Sequence, residues 1–175
     1  MAGVEVRHAR AADLKHIGPI EDAGAPMFRE HFGPDMNPVL EAKADDGWQR
    51  IEKDGFLMVA TAEEAGPVGF VHVLVIDGHA HLEQISVVPD HARQGIGARL
   101  VRAAMDEARA LGFRRMSLCT YRDVPWNGPF YAGLGFAEVD EADLAPYERQ
   151  IREKERRIGL DEDGVRCVMS VALRP

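Results

Sequence analysis

The stretch from His79 to Leu100, HAHLEQISVVPDHARQGIGARL, constrains the fold more than any other part of the chain. It reads as a strand, a turn closed by Pro89 and Asp90, a loop holding Gly95 and Gly97, and an amphipathic helix. Strict alternation along the strand puts His81, Glu83, Ile85 and Val87 on one face and Leu82, Gln84, Ser86 and Val88 on the other. Ile96, Leu100, Ala104, Ala108 and Leu111 then follow at helical spacing. A helix entered through such a loop turns unpaired N–H groups and the positive end of its dipole toward the space in front of it. That arrangement is an anion site, most often a phosphate site.

Two familiar phosphate loops do not fit. A Walker loop needs Lys and Ser or Thr after its last glycine, and no Lys follows Gly97. A dinucleotide fingerprint needs a third glycine where Leu100 stands, and an acidic residue where Arg114 and Arg115 stand. Val87-Val88-Pro89 followed by Ala92-Arg93-Gln94-Gly95-Ile96-Gly97 resembles instead the acyl-CoA loop of the GNAT (GCN5-related N-acetyltransferase) superfamily, with Ala92 where that family has Gln or Arg. A second segment, Asn127-x-x-Phe130-Tyr131-x-x-Leu134-Gly135-Phe136, is similar to the family's other signature.

The rest of the chain reads in the same element order. Val4 to Arg7 suits an edge strand, and Leu14, Ile17 and Ile20 give a helix one apolar face. Gly24 to Pro38 is rich in helix breakers and predicts an irregular segment; Val39 to Lys53 predicts a short helix ended by Asp54-Gly55. Phe56 to Thr61 and Pro67 to Ile76 form a hairpin, and Asp77-Gly78 turns into the central strand. Gly112 caps the long helix, and Arg115 to Thr120 is a strand parallel to the central one. A short helix over Phe130 to Leu134, a charged helix over Leu144 to Ile158 with a Leu144, Tyr147, Ile151, Ile158 stripe, and a last strand over Val165 to Leu173 complete the chain. The expectation is a single α/β (α+β) domain over residues 1–175 with the GNAT fold, a mixed sheet whose central parallel strands splay apart.

The resemblance implies an acetyl-CoA-dependent N-acetyltransferase in which an amine attacks directly within a ternary complex. The coenzyme would contact Arg93, Gln94, Gly95, Ile96, Gly97 and Ala98 at the loop, and Ile85, Ser86 and Val87 along the strand, with Asn127 and Phe130 beside its arm. Tyr131 matches the family tyrosine that protonates the leaving thiolate. A thiol near pKa ~8.5 and a phenol near ~10 are close enough to exchange a proton. His81-x-Glu83-x-x-x-Val87 is similar to the strand of arylalkylamine N-acetyltransferases, with Glu in place of the second His, and makes Glu83 and His81 the candidate base pair or water relay. An acyl-CoA-binding sensor without turnover is the alternative, although a binder needs neither Glu83 nor Tyr131. Phe28, Phe32, Trp48 and Trp126 offer aromatic surface for an acceptor pocket.

The formal net charge of -8 disfavours nucleic-acid or acidic-membrane partners and is compatible with a small-molecule amine. Cys119 and Cys167 lack the spacing of a zinc site or disulfide framework and read as buried thiols of a cytoplasmic protein. His72, His79 and His81 lack a carboxylate or Cys to complete a ligand set, so no metal is expected. No signal peptide or membrane-spanning run is expected, and a homodimer is compatible with the sequence.

Overall fold

A computed structural model describes residues 3–174. One sheet of seven strands runs through it in the order β1-β2-β3-β4-β5-β7-β6. The strands are β1 (Val4–His8), β2 (Gly55–Ala62), β3 (Gly66–Ile76), β4 (His79–Val87), β5 (Arg115–Tyr121), β6 (Ala137–Glu138) and β7 (Arg166–Ala172). Every neighbouring pair is antiparallel except β4 and β5. The helices are α1 (Leu14–Asp22), α2 (Ala25–Phe32), α3 (Gly47–Ile51), α4 (Ile96–Ala110), α5 (Gly128–Ala132) and α6 (Pro146–Arg157). This is the mixed sheet with flanking helices expected from the sequence, including a parallel pair joined through α4.

The helices sort onto two faces. Ile96, Leu100, Val101, Ala104 and Ala108 of α4 pack on Val71, Val73, Leu82, Met116 and Leu118. Leu14, Ile17 and Ile20 of α1 pack on the opposite face against Leu57, Val59 and Phe70. The α4 stripe departs from expectation at its end, since Leu111 is exposed and Val101 is buried in its place. Leu111 lies beyond the last full turn, where the chain bends away at Gly112 (φ 91°).

The N-terminal half differs from the pattern in two places. The breaker-rich segment holds a helix, α2, because Pro26 lies in its first turn, where a missing N–H costs nothing; Gly33 (φ 90°) ends it. The expected helix over Val39 to Lys53 is a 3-10 turn, Pro38–Glu41, followed by the separate α3. Asp46 starts α3 by accepting the Gln49 N–H (2.8 Å), while Gln49 Oε1 accepts the Asp46 N–H (2.9 Å). The first residue of α3 lies against α1: a Cβ at Gly47 would stand 2.5 Å from the Leu14 carbonyl oxygen. This close approach brings Arg50 of α3 beside Glu21 of α1.

Within β4, strict alternation fails. His72 pairs with Gln84 and Val73 with Leu82, so Glu83 has no partner on β3 and forms a β-bulge. Ala80, Leu82, Ile85 and Val87 share the α4 face, whereas His81, Gln84 and Ser86 belong to the other. The expected shared face of His81, Glu83, Ile85 and Val87 is therefore corrected: an extra residue shifts every later side chain to the opposite side.

Candidate active site

The parallel pairing of β4 and β5 is short. It joins Ala80, His81 and Leu82 to Met116, Ser117 and Leu118 and stops there. Residues 83–87 of β4 and 119–121 of β5 continue without pairing to each other, so the sheet opens at its centre. One hydrogen bond fixes which backbone groups face the opening. Val88 donates its N–H to the Val68 carbonyl (2.9 Å), and bonded pairs alternate along an antiparallel ladder. Ser86 and Gln84 accordingly bond to β3, while Ile85 and Val87 turn their N–H and C=O groups toward the gap left by β5.

The loop ahead of α4 supplies a second set of free donors. Arg93 (φ 58°) and Gly95 (φ 77°) are left-handed, the kind of backbone that gathers successive N–H groups into an anion-binding concavity. Among the described residues, the N–H groups of residues 93–98 meet no backbone acceptor; the first bonded donor is Arg99, to the Gly95 carbonyl (3.1 Å). Gly97 leaves space in the lining that a Cβ would fill, 3.4 Å from the Phe130 ring and 3.9 Å from Ile85. Free amides, a guanidinium at Arg93 and a bare glycine suit a diphosphate group well.

The strand gap and the loop line one cavity of about 880 Å³, within the range of small-molecule clefts. Of the expected site residues, Glu83, Ile85, Ser86, Val87, Arg93, Gly95, Gly97, Ala98, Asn127, Phe130 and Tyr131 line it. Three stand apart. Gln94 is exposed and donates to the Asp90 carbonyl (3.3 Å), and the Ile96 side chain is core, so neither side chain lines the cavity. His81 lies behind the lining: it is 2 % exposed, with Nδ1 2.9 Å from Ser117 Oγ. Among the aromatic candidates, Phe28 and Trp126 line the cavity and stack edge-on, with centroids 5.8 Å apart. Phe32 packs on Phe28 and Tyr121 behind them, whereas Trp48 is half exposed and away from the cavity.

Tyr131 is buried in the α4-side core, and burial pushes its phenol well above the ordinary tyrosine range, so it holds its proton at neutral pH. Its hydroxyl has no hydrogen-bond partner among the described residues, yet is not sealed from the cavity. Cys119 also lines the cavity, but burial pushes its thiol up, leaving it protonated and a poor nucleophile.

Sequence reasoning missed a polar group on another part of the lining. Arg50, 4 % exposed, is paired with Glu21, has Nη1 3.4 Å from His72 Nδ1, and lies over the Phe70 ring (5.1 Å). Burial raises the Glu21 pKa despite the Arg50 charge, and Asp22, Asp45 and Glu83 push the same way. Burial, aided by Arg50, lowers His72 to about 4. The helix expected over Val39 to Lys53 contains α3, and the Asp46-x-x-Gln49 capping box marks its start, but nothing in the sequence pairs Arg50 with Glu21. Among the described residues no cluster of three or more metal-binding side chains occurs, and no helix is long and apolar enough to cross a membrane.

Residues 22–136 match the acetyltransferase (GNAT) family. The chain is similar to an amino-acid acetyltransferase of Aeromonas salmonicida (strain A449), with 25% identity over 142 residues that cover 81% of this chain and 29% of that protein. It thus spans less than a third of that relative's length. Among solved structures it resembles N-acetylglutamate synthase from Neisseria gonorrhoeae complexed with coenzyme A and N-acetyl-glutamate (TM-score 0.68, 17% identity, 100% of this chain and 36% of that one). It also resembles PaiA N-acetyltransferase from Thermoplasma acidophilum in complex with coenzyme A (TM-score 0.69, 16% identity, 97% and 99% covered). At such identities the structural likeness shows the fold.

Proposed function

The chain belongs to the acetyltransferase (GNAT) family, and on that premise we propose that it moves an acetyl group from acetyl-CoA to a primary amine of a small molecule by direct attack in a ternary complex. Residues 1–175 would act as one catalytic domain. Acetyl-CoA supplies the acetyl group as an activated thioester. The observation that carries the reading is that one cavity joins the free amides of residues 93–98, the unpaired β4 edge, Tyr131 and Glu83.

Each group has a defined task. The amides of residues 93–98 and the Arg93 guanidinium hold the diphosphate. Ile85 and Val87 offer N–H and C=O groups to the amide-bearing arm, which can pair with β4 as an added strand; a free N–H at this edge also polarises the acetyl carbonyl. Asn127 and Phe130 border that arm. Glu83, thrust into the cavity by the bulge, takes the proton an alkylammonium must lose before it attacks, with His81 behind it. Tyr131 keeps a proton for the departing sulfur. The protonated state of Cys119 supports direct attack over a covalent acyl-cysteine route.

The test is to measure acetyl-CoA binding by calorimetry and free thiol release across a panel of amines, amino acids and aminoglycosides. The reading expects binding, and amine-dependent thiol release that Glu83→Gln lowers by about 100-fold. Binding without release for any amine would instead support a sensor.

A further inference from the structure

His81 ends a buried chain of hydrogen bonds that the transfer chemistry above does not use. From His81 Nδ1 the contacts run to Ser117 Oγ (2.9 Å), from Ser117 Oγ to the Tyr147 hydroxyl (2.8 Å), and from Tyr147 to Glu148 Oε1 (3.2 Å). All four side chains are buried, Ser117 and Glu148 completely. Glu148 is held by Arg115 Nη1 (2.7 Å) and by the Ala145 N–H (2.8 Å). Tyr147 is fixed between two imidazoles: His79 stacks on it (4.9 Å) and His81 meets it edge-on (6.2 Å).

The far end of this chain sets its direction. Glu148 accepts from the Arg115 guanidinium and the Ala145 N–H, and Tyr147 donates to its remaining acceptor site. The Tyr147 oxygen is then left as an acceptor, and both Ser117 Oγ (2.8 Å) and Arg115 Nη1 (3.4 Å) donate to it. Ser117 Oγ in turn is left as an acceptor, and only a protonated His81 Nδ1 can fill that place. The opposite polarity would aim the lone pairs of Tyr147 at a carboxylate oxygen in a buried site, which is unfavourable.

We propose that Ser117, Tyr147 and Glu148 are positioning residues that lock His81 as the Nδ1–H tautomer, so that its free Nε2 serves as the proton acceptor behind Glu83. His81 Nε2 has no hydrogen-bond partner among the described residues and is not sealed from solvent-accessible space. The charged and titratable groups acting on the ring are Glu83 from β4, Arg115 from β5, and Tyr147, Glu148 and Glu155 from α6. The chain thus gives β4 a polarised base whose orientation is set from α6, across the sheet from α4. The inference rests on the proposed role of Glu83 and His81, but the tautomer can be read without any substrate.

The experiment is NMR of histidine ring nitrogens on the labelled protein at mildly alkaline pH, with His81 assigned by its loss in His81→Gln. The expected result is a neutral Nδ1–H ring in the native chain. Tyr147→Phe leaves the Ser117 hydroxyl free to donate to His81 and should drive the ring toward Nε2–H; Ser117→Ala, which removes the Nδ1 acceptor, should do the same. Both should lower kcat by about tenfold or more, as a wrong tautomer does in hydrolytic triads, with the KM for acetyl-CoA unchanged. An Nε2–H ring in the native protein, or one that neither variant shifts, overturns the proposal. A shifted tautomer with unchanged kcat overturns the catalytic half of it. A locked Nδ1–H ring in a protein that acetylates nothing would leave the chain standing and sink the proposed activity instead.

Discussion

Tyr131 shows what a single side chain must satisfy here. Its ring is packed in the core while its hydroxyl opens on the cavity, and burial holds the phenol neutral, as a proton donor has to be. Tyr131→Phe keeps the ring that packs on Phe130 and Phe136 and removes only the hydroxyl. It should lower kcat by about 100-fold while leaving acetyl-CoA affinity and thermal stability nearly unchanged, as steady-state kinetics and calorimetry can check. An undiminished kcat would remove the acid role. Residues of this kind were legible in the sequence because Tyr131 and Glu83 sit inside short local motifs. Glu21 and Arg50 were not, since their pairing depends on how α1 and α3 pack. His81 was legible as a residue and misplaced as to its face, because alternation carries no warning of an inserted residue.

At the scale of elements, the bulge in β4 and the loop before α4 do most to make the site. The bulge lets one strand bury Leu82 and Ile85 against α4 and still push Glu83 into the cavity. The α4 loop shows two different needs for glycine. Gly95 has open space where a Cβ would go, but its φ of 77° strains any other residue, so Gly95→Ala should cost about 1 kcal/mol of stability through the backbone. Gly97 is helical and lines the cavity, and a Cβ there would reach ordinary contact with Phe130 (3.4 Å) and Ile85 (3.9 Å), narrowing the space between them. Gly97→Ala should therefore weaken acetyl-CoA binding by about tenfold with little loss of Tm, a contrast that calorimetry and thermal melts can read. Equal effects from both variants would argue against the diphosphate seat. The loop and its strand were readable because turn chemistry is local; α2 was masked by its prolines and glycines. The charged helix α6 departs from a simple apolar stripe. The buried face of α6 is Tyr147, Glu148, Arg152 and Glu155, and Ile158 is exposed, because ion pairs with Arg115, Asp161 and Arg166 satisfy that face.

Across the whole molecule, the face opposite α4 carries buried imidazoles, and these tie stability to pH. His72 falls from 6.5 to about 4 on folding, so the unfolded chain takes up a proton over that interval that the native state refuses. Stability is full above the unfolded value and falls as pH drops from 6.5 toward 4, by about 3 kcal/mol in all from this group. The lowered pKa of His81 acts in the same direction, whereas the raised Glu21 pKa opposes it, since the native state there binds its proton more readily. Denaturant unfolding at a series of pH values should show the decline, and His72→Gln should flatten it; parallel curves for the two proteins would contradict the assignment.

The central claim is that the parted strands β4 and β5 and the loop ahead of α4 form one coenzyme site. A crystal structure of the protein with coenzyme A tests it most directly. The account predicts diphosphate oxygens within hydrogen-bond distance of the N–H groups of residues 93–98, the arm alongside Ile85 and Val87, and the sulfur beside the Tyr131 hydroxyl. Coenzyme bound elsewhere, with those amides free and Tyr131 turned away from sulfur, would contradict it.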